Sequence, residues 1–272
     1  MSTEPSTPLH QPRLAELIAD KLRRRILTGR LPDGALLPNQ DSLLAEFKIS
    51  KPSLREALRI LEAEGLITVR RGNVGGAYVH RPQARHAAYS LSLVLQAQQA
   101  TLDDVGSALR ELEGTCAELC ARRDDRATEV VPYLREANER AREMLDDVLV
   151  YVDAMADFHR GLVARCGNTT LRLISGSVEA LWLAHVQDWA TTSKRAGTFP
   201  DRDYRLRGLE VHERITDLIA DGAAEEAGRL AHAHFDPDQF YSAPEDAGRT
   251  IDASILKAPG RVMASRHDRG GL

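Results

Sequence analysis

The stretch "SKPSLREALRILEAEGLITVRRGNVGGAYV", Ser50 to Val79, decides how this chain is read. Ser50 offers an N-cap oxygen, and Pro52 suits a first helical turn, where its preset φ helps and its missing N–H costs nothing. Leu54, Ala57, Leu58 and Leu61 recur every three or four residues, which predicts a helix with one apolar stripe, and Gly65 follows as a stop. Lys51, Arg55 and Arg59 stand at i, i+4 and i+8 on a stripe beside the apolar one. Past the glycine the period changes to two. Ile67 and Val69 alternate with Thr68 and Arg70, "GNVGG" makes a loop tolerant of positive φ, and "AYV" returns as a second strand.

Upstream, Leu14, Leu17, Ile18, Leu22 and Ile26 predict a first helix ended near Gly29. "RLPDGALLP" reads as a turn-rich connector, and Leu43, Leu44 and Phe47 give a short second helix. Three helices and a two-stranded wing make a winged helix-turn-helix. A lone basic stripe is usually a solvated face. Here the wing, the short preceding helix and the local charge favour double-stranded DNA as the partner. The third helix would enter the major groove while Arg70 and Arg71 reach phosphates or the neighbouring minor groove. With Ser53 on the helix and Asn73 in the wing loop, the expected DNA-binding set is Lys51, Ser53, Arg55, Arg59, Arg70, Arg71 and Asn73.

The rest of the chain differs in charge. Residues 10–82 hold 13 Lys and Arg against 8 Asp and Glu, a net +5, whereas residues 83–272 hold 23 against 31, a net −8. A positive head on an acidic body implies that the body binds something other than a polyanion. After the polar connector "HRPQARHAAYS", amphipathic helices are expected over about 86–99, 102–124, 128–145, 147–167, 169–192, 204–220 and 223–235, with no strands. The fold class is therefore mainly α: a disordered tail over 1–11, the winged helix-turn-helix over 12–82, an all-α helical bundle over 83–241 for effector binding and dimerisation, and a disordered tail over 242–272. The longest apolar runs, such as "LWLAHV", fall far short of the roughly 20 residues a bilayer needs, so no membrane partner is expected. "MSTEPSTPLHQP" lacks the apolar core of a secretory signal, which places the protein in the cytoplasm. Cys116, Cys120 and Cys166, an odd number, read as small buried hydrophobes.

The residues also carry a resemblance. "LLPNQDSLLAEFKISKPSLREALRILEAEGLITVRRGNVGGAYV" resembles the winged-helix head of GntR-family bacterial transcription regulators. "LRELEGTCAELCARR", "FHRGLVARCGN" and "VHERITDLIADGAAEEAGRLAHAHF" resemble the helical effector domain, termed FCD, of the FadR-like branch. Two positions in the head depart from the family pattern, which often has arginine where this chain has Asp41 and Lys51. Lysine does not reproduce a bidentate guanidinium contact to guanine, whereas Arg55, the arginine of "LREAL", matches.

The resemblance assigns His159, His212 and His234 as metal ligands. Gly222 lies ten residues after His212 and twelve before His234. At about 1.5 Å per residue the two arms of that helical hairpin measure roughly 15 and 18 Å, so the imidazoles lie nearly level. Three neutral imidazoles suit a borderline cation such as zinc or nickel. For any one histidine the commoner role is a hydrogen-bonded core residue. In metal-binding relatives an acidic ligand precedes the first histidine by four residues, and here that position is Met155. Asp153 and Asp157 should point elsewhere on a regular helix, and His232 should face away from the cluster. Arg110 matches an arginine near the effector pocket of similar domains, where a guanidinium would favour a small carboxylate. An i,i+3 pair with Glu113 is the alternative. His185, Trp182 and Trp189 would line the same cavity.

These readings converge on a homodimeric transcription regulator, a repressor of metabolic genes, controlled by a small anionic effector. A metal-dependent hydrolase using the histidines and a metal sensor stand as alternatives. The hydrolase lacks an H-E-x-x-H or comparable signature with its general base.

Overall fold

A computed structural model describes residues 14–70, 75–234 and 248–256. These form two compact units, divided in the chain between Pro82 and Gln83. In the first, α1 (Leu14–Leu27), α2 (Gln40–Phe47) and α3 (Lys51–Ala63) precede an antiparallel pair, β1 (Ile67–Arg70) and β2 (Gly76–Val79), in register from Ile67 opposite Val79 to Arg70 opposite Gly76. The expected helices bury the expected stripes. Ile18, Leu22, Ile26, Leu43, Leu54, Ala57, Leu61, Ile67 and Val79 form one core. Each fully buried Leu or Ile there stabilises the unit by about 1.5–3 kcal/mol relative to exposure.

Caps and cross-links hold this geometry. Asn39 Oδ1 accepts the Ser42 N–H at 2.8 Å to start α2, and Ser50 Oγ accepts the Ser53 N–H to start α3. Arg23 forks onto Glu64 at 2.6 and 2.8 Å, tying α1 to the residue that follows α3. Glu62 of α3 accepts the Val69 N–H at 2.9 Å, which fixes the wing to the helix. The "RLPDGALLP" connector does more than turn. Val79 N–H bonds Ala35 O, and Leu37 N–H bonds Ala77 O, each at 2.8 Å, so the connector covers the second edge of β2.

The second unit contains α4 (Ala84–Ala97), α5 (Leu102–Arg122), α6 (Arg126–Glu129), α7 (Val131–Glu143), α8 (Val148–Arg165), α9 (Thr169–Ala196), α10 (Arg202–Asp221) and α11 (Ala224–His234). The helix expected over 128–145 is split between α6 and α7 because Pro132 cannot continue a helix but fits the first turn of the next one. α9 runs to Ala196, where Gly197 at φ 71° closes it. The bundle is filled by two large apolar clusters, with a small third around Leu209. One joins α5, α7, α8, α10 and α11 around Phe158, Leu162 and Ile215, and the other gathers Leu102, Leu109, Leu181 and Trp182.

The expected disordered tail over 242–272 needs correction at 248–256. Thr250 bridges Thr101, Ile251 N–H bonds Ala100 O at 3.0 Å, and Ile251 is 1% exposed within the second cluster. A short 3₁₀ turn, Ala253–Ile255, follows. Two apolar side chains carry no periodicity, so their docking is invisible until the bundle exists to receive them. Among the described residues no helix is long and apolar enough to cross a membrane.

Candidate nucleic-acid interface and metal centre

On α3 the side of the helix away from Leu54, Ala57 and Leu61 carries Lys51, Arg55 and Arg59, all exposed. They share a cleft of about 450 Å³ with Gln40, at the start of α2. Glu56 lies 3.7 Å from Arg59 on the open surface, a contact worth little. Ser53 Oγ lies 3.0 Å from Ser50 Oγ, so it belongs to the helix cap. Arg70 places its guanidinium 4.7 Å from the Tyr78 ring centroid. Arg71 and Asn73 lie outside the described residues. Asp41 sits in the first turn of α2, where unpaired N–H groups favour a carboxylate.

In the second unit the three histidines meet. α8 brings His159, α10 brings His212, and Gly222 at φ 74° turns the chain into α11, which brings His234. One nitrogen from each lies within 4.8 Å of the others. His212 Nε2 and His234 Nε2 are 2.7 Å apart, and the His212 ring stacks on Phe158 with centroids 3.9 Å apart. His159 Nδ1 donates to Glu113 Oε2 at 2.6 Å, the carboxylate–histidine partnership that orients metal ligands.

Burial sets the charge states. Desolvation, with the neighbouring imidazoles, holds His212 well below the usual imidazole range and His234 at about 3, so both are neutral near pH 7. Burial opposes charge on His159 too, but the Glu113 carboxylate outweighs it and raises that ring above its ordinary value. His212 Nδ1 is buried without a hydrogen-bond partner. Three converging imidazole nitrogens, two of them on neutral rings, with a carboxylate behind the third ring, fit a borderline divalent cation, which would displace a proton from His159.

Two of the three, His159 and His234, line a cavity of about 440 Å³. Met155 lines the cavity and packs with the apolar cluster, so that position supplies no acid. Asp157 pairs with Arg160 and Arg140, and Asp153 lies 3.6 Å from Arg160. His232 turns away to Glu111 at 3.0 Å, as expected. Trp182 and Trp189 line the cavity, but two other expectations require correction. His185 is buried elsewhere: its Nδ1 donates to Leu181 O and its Nε2 accepts the Asp252 N–H. Arg110 is absent from the lining, because it follows Leu109 on α5 and the helical turn carries it off the face that Leu109 and Glu113 present. Nor is Glu113 its surface partner, since that carboxylate is buried against His159. The cations that do line the cavity are Arg205 and Arg207. Glu179, also in the lining, has its carboxyl pushed up to about 8 by burial and by the charge of Glu113.

A basic winged helix-turn-helix followed by a helical domain defines a class of transcription regulator. Residues 14–79 match the bacterial regulatory proteins of the gntR family, and residues 104–237 match the FCD domain. The chain belongs to the GntR family of transcription regulators and carries an FCD domain. The family is one of regulators, not enzymes. Among curated relatives, the HTH-type transcriptional repressor NanR of Citrobacter rodentium is 27% identical over 236 residues, 84% of each chain. The HTH-type transcriptional regulator Mce2R of Mycobacterium tuberculosis is 28% identical over 229 residues, 82% of this chain and 89% of that one. A solved Streptococcus agalactiae GntR, 21% identical, shares the fold with a TM-score of 0.62 over 81% of this chain and 96% of its own.

Proposed function

We propose that this regulator represses its target genes by binding operator DNA as a homodimer, and that a small carboxylate effector, held at a divalent metal in the FCD domain, controls that binding. The observation that carries the reading is the convergence of His159, His212 and His234, two of which line a largely apolar cavity, in a chain whose other unit exposes Lys51, Arg55 and Arg59 on one face. On DNA, α3 would read base edges in the major groove while Arg70, Arg71 and Asn73 of the wing contact the backbone. A single helix buries too little surface for operator-level affinity, so two heads on neighbouring half-sites are required. Leu93 and Val94 on α4, and Leu173 and Ile174 on α9, are exposed apolar side chains suited to a dimer contact.

The three histidines would hold the metal with Glu113 orienting His159. A bound cation supplies a Lewis-acidic site for a ligand oxygen. An effector that prefers one arrangement of the dimer changes DNA affinity by its differential binding energy, typically about 1–3 kcal/mol. The test is metal analysis of purified wild-type protein and the His212→Ala variant, with selection of bound fragments from the source genome. Near-stoichiometric zinc or nickel in the wild type, lost in the variant, together with enrichment of discrete operators, is the expected result. Metal-free wild-type protein refutes the metal arm, and absence of any enriched fragment refutes the operator arm.

A further inference from the structure

The cavity wall holds more acid than a carboxylate effector needs. Glu113 and Glu179 are 2% and 6% exposed, both line the cavity, and on each one carboxylate oxygen, Oε1, is buried without a hydrogen-bond partner. Such atoms are expensive to leave unmatched, and in a binding site the usual complement is a donor on the ligand. The opposite polarity is also present. Arg205, which lines the same cavity, donates through Nη1 to Pro200 O at 3.0 Å, while its Nε is buried without a partner. Between these groups the wall is aromatic and aliphatic, with Trp182, Trp189 and Phe199 among its residues. A cavity of this size and lining suits a small molecule with an apolar body and a few polar anchors.

We propose that the effector is an amphipathic molecule with an apolar, preferably aromatic, body and an amino group, the amine docking against the buried carboxyls of Glu113 and Glu179 that line the cavity. The inference rests on the cavity being the effector site, and adds a donor requirement to the carboxylate of the proposed function. The ligand's carboxylate, where it has one, would go to Arg205, or to a cation that the histidines would hold. Glu179 is the discriminating residue. Glu113 also orients His159, so changing it would disturb the metal centre as well.

Three probes of one shape separate the two requirements. L-Phenylalanine carries amine and carboxylate, 3-phenylpropanoate lacks the amine, and 2-phenylethylamine lacks the carboxylate. Calorimetric titration of each into the full-length, metal-loaded protein is expected to rank 3-phenylpropanoate about tenfold or more weaker than phenylalanine. Glu179→Gln should collapse that ratio towards unity while its metal content and melting temperature stay near wild type. Equal binding of phenylalanine and 3-phenylpropanoate, an unchanged ratio in Glu179→Gln, or binding of none of the three overturns the proposal. Binding of 2-phenylethylamine as tight as that of phenylalanine upholds the donor requirement and refutes the carboxylate reading alone. If the substitution perturbs folding, Glu179→Asp serves instead: it shortens the carboxylate by one methylene and should weaken phenylalanine more than 3-phenylpropanoate.

Discussion

Arg55 illustrates how one side chain links sequence to function. It lies one position after Leu54, which is 1% exposed, so the helical turn that buries the leucine presents the guanidinium to solvent in the cleft shared with Lys51 and Gln40. Arg55→Ala should weaken operator binding by about 1–3 kcal/mol at fixed salt, as fluorescence anisotropy would register. The melting temperature should hold, because nothing in the head core depends on that side chain. The histidines give a second prediction, for chelator-treated protein. Unfolded imidazoles titrate near pH 6.5, whereas folded His234 does so at about 3 and His212 also well below 6.5. Between about pH 6.5 and 3 the unfolded chain therefore binds more protons, and stability falls on acidification by up to about 1.4 kcal/mol per pH unit for each ring. His159 acts oppositely, since its contribution is complete below pH 6.5 and disappears as pH rises through its elevated value. The Glu179 carboxyl, raised to about 8, also opposes the two rings, so in a Glu179→Gln background, which lacks that group, the urea midpoint should drop between pH 7 and pH 5. A constant midpoint would contradict the burial of these rings.

Among the helices, α5 and α11 cross most intimately, and glycines allow it. A Cβ on Gly114 would stand 3.1 Å from Gly228 O and 3.2 Å from His232 Cβ, and one on Gly228 would strike Glu118. The same approach delivers Glu113 and His234 to one site, since each is close in sequence to a contact residue. Gly114→Val should cost about 1–3 kcal/mol by overpacking and lower the bound-metal stoichiometry, because displacing α11 displaces His234. Thermal unfolding and metal analysis of the variant check both. Sequence periodicity located most of these helices to within a few residues. It merged α6 with α7 because apolar spacing continues across Val130 and Val131, while the break comes from Pro132, a backbone property.

For the molecule as a whole, the segment 248–256 belongs to the effector domain's stability. Ile251 fills the cluster around Leu102 and Leu181, and Asp252 N–H occupies His185. Ile251→Ala should cost about 2–5 kcal/mol. For a domain of this size each kcal/mol lowers the melting temperature by about 2–4 °C, which scanning calorimetry would detect. Operator affinity at low temperature should be unchanged, since the side chain of Ile251 packs within the bundle cluster.

Local information was enough for the winged helix-turn-helix, the order of the bundle helices, the basic face of α3 and the level placement of His212 and His234. Each depends on spacing along one chain segment or on a short turn, which 3.6- and 2-residue periods encode directly. The tertiary structure alone decided which charges face the cavity. Glu113, Glu179 and Arg205 entered it, while Arg110 and His185 stayed out, because facing inward depends on helix rotation set by packing between elements distant in sequence. The docking of Ile251 was settled in the same way, since a single apolar side chain finds a groove only after three helices have made one.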